Sequence, residues 1–123
     1  MTDYTPVYTG GVKPFTSTAS AAITGGQVVE ATTTGAIGPA GAASTKVVGV
    51  AAHDAASGAR VTVWPIANCI HETTSPAGAA VGVALIAAAA GTVNPVAAET
   101  GLALLGVTLT TGGAGTKVRW IGR

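Results

Sequence analysis

Residues 26–65 read GQVVEATTTGAIGPAGAASTKVVGVAAHDAASGARVTVWP, and residues 82–122 restate that text as GVALIAAAAGTVNPVAAETGLALLGVTLTTGGAGTKVRWIG. At a period of about 56 residues, Gly26 falls on Gly82, Ala31 on Ala87, Gly35 on Gly91, Ile37 on Val93 and Pro39 on Pro95. After a one-residue slip, Val48-Gly49-Val50 falls on Leu105-Gly106-Val107, Gly58 on Gly115 and Arg60-Val61 on Lys117-Val118. Turn residues coincide and apolar positions stay apolar, which is the signature of a duplicated supersecondary unit. A chain spent on two copies of one scaffold leaves little room for a catalytic apparatus.

Each copy reads as β-structure. Residues 46–52 and 59–64 are expected strands around a turn at 53–58, and residues 103–109 and 116–121 are their counterparts around a turn at 110–115. Arg60, Thr62 and Trp64 alternate with Val61 and Val63, the period of a half-buried strand. Residues 81–90 (VGVALIAAAA) suit a helix by propensity. Their partner in the first copy, residues 27–34, is rich in β-branched residues, so both are expected to be strands. The expected fold is therefore all-β, a small barrel-like domain made of two copies of a β-rich unit. Residues 1–20 form an extended N-terminal arm, residues 21–123 the single domain, and residues 67–80 a join between the copies.

The arm differs in kind. It holds Tyr4, Tyr8 and Phe15, both tyrosines and the only phenylalanine of the chain, with Gly10-Gly11, Pro6 and Pro14 breaking regular structure. Two readings stand side by side: the arm docks onto a partner, or it straps across its own barrel. Trp64 and Trp120, near the ends of the last strands, are the largest apolar groups and are expected in the core or at an oligomer contact.

Composition narrows the function. Of 123 residues 48% are hydrophobic but only 4% aromatic, so Ala and Val must fill the core. Such a core buries little area per residue, which favours assembly with other copies. Charged residues are 9% of the chain and the net charge is +1. The cations Lys13, Lys46, Arg60, Lys117, Arg119 and Arg123 are scattered, without the basic patch that nucleic acid requires. Cys69 is the single cysteine, which excludes an internal disulfide, and no export signal or membrane span is read.

Candidates for chemistry are few. Cys69 and His71 lie two apart and would share a strand face, but two ligands do not make a metal site. His53-Asp54 sits in an expected turn. Asp3, Glu30, Asp54, Glu72 and Glu99 are spread one by one, so spacing favours no carboxylate pair. The glycine-rich runs at 35–41 and 112–115 match neither a P-loop nor a dinucleotide fingerprint. Lys46 lacks the flanks of a lipoyl or biotinyl lysine. No enzyme activity, metal or cofactor is expected.

The order of parts resembles the head decoration, or capsid cement, proteins of tailed bacteriophages. The resemblance is carried by the segments 46–51 (KVVGVA) and 104–109 (LLGVTL), followed by 58–63 (GARVTV) and 115–120 (GTKVRW). It covers most of the chain as a pattern and rests on no single diagnostic motif. It implies a late structural protein of the virion that binds the outer surface of an expanded icosahedral capsid and stabilises it. Its partners would be the major capsid protein and itself, as a homotrimer, with no direct nucleic-acid or membrane contact. It would meet the capsid in the host cytoplasm during assembly. Tyr4, Val7, Tyr8, Pro14 and Phe15 would be the capsid contacts. Deleting residues 2–18 is then expected to abolish capsid binding and spare the barrel. The alternatives are another virion component, at the tail or head–tail joint, and a cellular β-sandwich module that binds carbohydrate or peptide.

Overall fold

The structure is a computed structural model, which describes residues 2–32, 34–97 and 101–123. Glu99 and Thr33, both used in the sequence reading, lie outside the described residues. Among the described residues, ten strands build two five-stranded antiparallel sheets. The first unit holds β1 (Phe15–Thr18), β2 (Val28–Ala31), β3 (Ile37–Pro39), β4 (Val47–Ala51) and β5 (Arg60–Pro65), in the order β1-β5-β4-β2-β3. The second holds β6 (Ile70–Ser75), β7 (Ala84–Ala88), β8 (Thr92–Val96), β9 (Leu104–Thr108) and β10 (Thr116–Gly122), in the order β6-β10-β9-β7-β8. The two orders are the same, so the written duplication is a duplication of fold. Even the irregularity repeats: register slips between Val29 and Glu30 on β2 and between Leu85 and Ile86 on β7.

The alanine-rich stretch is a strand, β7, hydrogen-bonded on one side to β8 and on the other to β9. Pairing on both edges satisfies its backbone and outweighs the helix propensity of alanine.

The repeat is wider than the sequence comparison finds. Phe15 pairs with Val63 across β1 and β5, and His71 pairs with Trp120 across β6 and β10, at the same place in each sheet. The end of the expected arm is thus a sheet strand, and the expected join at 67–80 contains its counterpart. FTST and IHETTS share no apolar pattern, which hides the correspondence. Deleting residues 2–18 would therefore remove β1 and would not spare the barrel. The register also separates the tryptophans: Trp120 matches Val63 and points inward, whereas Trp64 pairs with Val50 and points outward.

Each sheet curls until its edges meet. In the first, Ala19 bridges Ile37, and the Ser20 amide donates to the Ile37 carbonyl at 2.7 Å. In the second, Asn94 Oδ1 accepts from the Ala77 amide at 3.1 Å. Inside the first unit lie Ala19, Ile23, Val29, Ile37, Ala51, Val61 and Val63. The second core is mixed. Leu85, Val93, Leu105, Val118 and Trp120 pack there with Val28, Ala40 and Val50, which come from the outer face of the first unit. One sheet is therefore apolar on both faces, and the two units are fused by a shared core.

Close strand packing is built on a glycine in each copy. A Cβ at Gly49 would collide with the Trp64 carbonyl, and one at Gly106 with the Ile121 carbonyl. We expect Gly106→Ala to cost about 1–3 kcal/mol in denaturant unfolding, the usual penalty for overpacking. Gly113→Ala, where a Cβ meets nothing within 4 Å, should stay within about 0.5 kcal/mol of the parent.

Candidate functional site

The N-terminal segment, read from sequence either as a docking arm or as a strap across its own barrel, combines an anchored backbone with exposed side chains. Anchoring begins at Tyr4, whose amide donates to the Ala52 carbonyl at 2.7 Å. The Val7 amide donates to the Ile70 carbonyl at 2.8 Å, and the Ile70 amide donates back to the Tyr8 carbonyl at 2.8 Å. Backbone pairing thus lays residues 4–8 from β4's end in the first unit to the start of β6 in the second. Pro6 is buried beneath this crossing.

Tyr4 is turned inward. Its ring stacks on His71 at 6.0 Å between centroids, and His71 lies 5.0 Å from the Trp120 ring. His71 is fully buried. Its Nε2 lies 2.9 Å from the Pro65 carbonyl oxygen, which can only accept, so Nε2 carries the proton. Nδ1 is then the acceptor for the Tyr4 hydroxyl at 2.7 Å, while the same hydroxyl oxygen receives the Glu72 amide at 3.2 Å. Trp120 Nε1 donates to Thr73 Oγ1 at 3.2 Å. Burial lowers the His71 pKa to about 4 and raises that of the Tyr4 phenol, so both are neutral in ordinary conditions. The nearest carboxylate along β6, Glu72, is held by Arg119 Nε at 3.1 Å.

The remaining predicted contacts are on the surface. Val7, Tyr8 and Phe15 are 47%, 58% and 41% exposed, and Pro14 is exposed beside Phe15. Tyr4 is the exception among the five residues that the resemblance implies. Its ring is committed to His71, so it fixes the strap, whereas the other four side chains are exposed. Trp120 fills the second core, and Trp64 is half-buried on the outer face of β5.

The candidates for chemistry are occupied structurally. His53 Nδ1 donates to the Asp54 carbonyl at 2.8 Å, and its Nε2 accepts the Thr62 amide at 3.2 Å. Asp54 Oδ1 accepts the Gly25 amide at 2.9 Å, a bond that holds its carboxyl below the usual range. Glu30 is held down in the same way by the Gly41 amide at 3.0 Å. Cys69 is buried against the Thr9 carbonyl, and burial raises its thiol pKa. Among the described residues no three His, Cys, Asp or Glu side chains gather where they could hold a metal. A groove of about 310 Å³ opens between the units, lined by Tyr4, Gly25, Gln27, Glu72, Thr74 and Lys117. That lining is mostly glycine, amide and hydroxyl, and among the described residues it contains no nucleophile hydrogen-bonded to a base.

His71 sets an acid limit. A group whose folded pKa lies below its unfolded value stabilises the fold fully above the unfolded pKa and loses that contribution as pH falls. For His71 the window runs from about 6.5 down to about 4. Unfolding free energy should fall there by up to about 1.4 kcal/mol per pH unit. His71→Phe, which copies the residue at the matching position of the first unit, should flatten the profile across that window. Losses from Glu30 and Asp54, whose folded pKa values are also lowered, begin as pH nears their unfolded values of 4.5 and 3.8, so they enter only at the acid end of that window. An unchanged slope in His71→Phe would assign the effect to another group.

No family model and no curated protein matches the sequence. Among solved structures, the fold is similar to the N base of the head fiber gp8.5 of bacteriophage phi29, at a TM-score of 0.69 and 18% sequence identity. The match covers 91% of this chain and 94% of that one, so the likeness is to the whole two-unit arrangement.

Proposed function

We propose that this protein is a structural component of a tailed-phage virion, carried on the outer surface of the head and bound to the major capsid protein. The observation that carries the reading is the fold likeness to a phage head-fiber base along nearly the whole length of both chains. It acts by contact and not by catalysis, without cofactor, nucleic acid or membrane. It assembles as homotrimers and stabilises the expanded shell. A ligand that binds only the expanded lattice stabilises that lattice by mass action, and many identical sites multiply the effect.

The anatomy of the strap supports this role. Its backbone bonds and the Tyr4–His71 contact hold residues 4–8 rigidly, so the exposed side chains of Val7 and Tyr8 are presented without a cost of ordering. Val7, Tyr8 and Pro14 are the capsid contacts in this reading, and exposed Phe15 is assigned instead to a contact between copies. A charge-poor surface with a few exposed apolar groups suits docking onto another protein.

The test is an immunoblot and gold labelling of gradient-purified particles with antibody to this chain. Label spread over the head is the expected result. Label confined to the tail or neck would move the protein to another part of the virion, and its absence from particles would end the reading. Replacing Val7 and Tyr8 together by Ser, which leaves their backbone bonds intact, should weaken head binding at least about tenfold. The same variant should keep the parent's circular dichroism.

A further inference from the structure

The contact between the two units defines two faces. One is the outer face of the first sheet: Val28 is paired with Val50, Ala40 follows on β3, and all three are fully buried. The other is the end of the second unit that receives them. There Ala87 and Leu105 share one buried core with them, Ala87's carbonyl accepts the Ala43 amide at 2.8 Å, and Gly91's amide donates to the Ala40 carbonyl at 3.0 Å; His71 is buried under the Tyr4 ring, and Thr73 bonds Trp120 Nε1.

Because the chain is a duplication, each face exists twice. The counterparts of Val28, Ala40 and Val50 are Ala84, Val96 and Val107. Ala84 pairs directly with Val96 on one side and with Val107 on the other, giving a continuous apolar row across β8, β7 and β9. All three are half-buried, where their counterparts have no exposure at all. The counterparts of His71, Thr73, Ala87 and Leu105 are Phe15, Ser17, Ala31 and Val48. Phe15 is 41% exposed and the other three are half-buried. Both halves of a second, equivalent contact are therefore present, one at each outer end of the two-unit stack, and within one copy neither half covers the other.

We propose that a second copy of this chain completes that contact head to tail: the Ala84–Val96–Val107 row of one copy covers the Phe15, Ala31 and Val48 end of the next. The occupant is a second copy because the first unit already carries out this docking on the second, with the same strands in the same register. The two faces differ, so the contact is heterologous. Repeated by a rotation that closes, it gives a ring; otherwise it gives a filament. None of the residues named on the two faces is charged, which fits a permanent contact. This inference does not depend on where the protein sits on a particle, and its failure would show in purified protein alone.

The test uses sedimentation velocity on the wild-type chain and on two variants, each damaged on one face, Val107→Lys and Phe15→Asp. The wild type should sediment above the 11.7 kDa of one chain, and each variant should lose the contact and fall toward one chain. Mixed in equal amounts, the variants retain one intact face of each kind and should form a dimer that goes no further. A monomeric wild type at its highest soluble concentration would overturn the proposal. So would variants that assemble like the parent, or a mixture that stays monomeric, as a contact between like faces would require. Near-UV circular dichroism of Trp120 checks folding, and Val96→Lys replaces Val107→Lys if that variant does not fold.

Discussion

The structure depends on one sheet having two apolar faces. Val29 and Val28 are neighbours on β2, yet Val29 fills the core of its own unit while Val28 enters the core of the other. A five-stranded unit filled with alanine and valine encloses little apolar volume, and among the described residues Trp120 is the one fully buried tryptophan, tyrosine or phenylalanine. Sharing one core between two units raises the burial per residue without adding aromatics. The seam cannot slip, because a one-residue shift of β2 would exchange Val28 for Val29 and reverse both faces at once.

Around this seam the remaining features fall into place. The N-terminal strap crosses it and is pinned where Tyr4 meets His71. A histidine can occupy that position only because both of its nitrogens find partners, the Tyr4 hydroxyl and the Pro65 carbonyl. The matching position of the first unit, which has no such partners over it, carries Phe15. The two copies have thus diverged where their surroundings differ and stayed alike where backbone geometry is tight, at Gly49 and Gly106.

Much of this is legible in the sequence, and the part that is not has identifiable causes. The turn residues at 26, 35, 39 and 58 and their counterparts mark the repeat, and the alternation through Val61 and Val63 marks a strand. Within the helix-like stretch 81–90, the strand Ala84–Ala88 is read correctly only by way of its partner, while Ala89–Gly91 form a single 3-10 turn that the comparison does not reveal. What stays hidden is β1 with β6, since a short polar edge strand such as FTST has no periodicity to detect. The inward turn of Tyr4 is hidden for another reason: its partners His71 and Glu72 are far away in sequence, and aromatic content alone does not distinguish a strap from a sticky surface. Trp64 and Trp120 lie one position apart in the repeat, which on a strand means opposite faces, so a shared expectation of core or oligomer contact does not separate them.

The position of β10 has a consequence for synthesis. It lies between β6 and β9 and follows both in the chain, so β6 cannot join the sheet of β9, β7 and β8 until translation has passed residue 122. For most of that time the first unit can already be folded, with Val28, Ala40 and Val50 facing solvent and no cover within reach. On a crowded polysome, neighbouring nascent chains would display the same bare sheet face side by side. Rapid completion of the chain, and not only the stability of its finished form, then governs how much of it escapes mispairing.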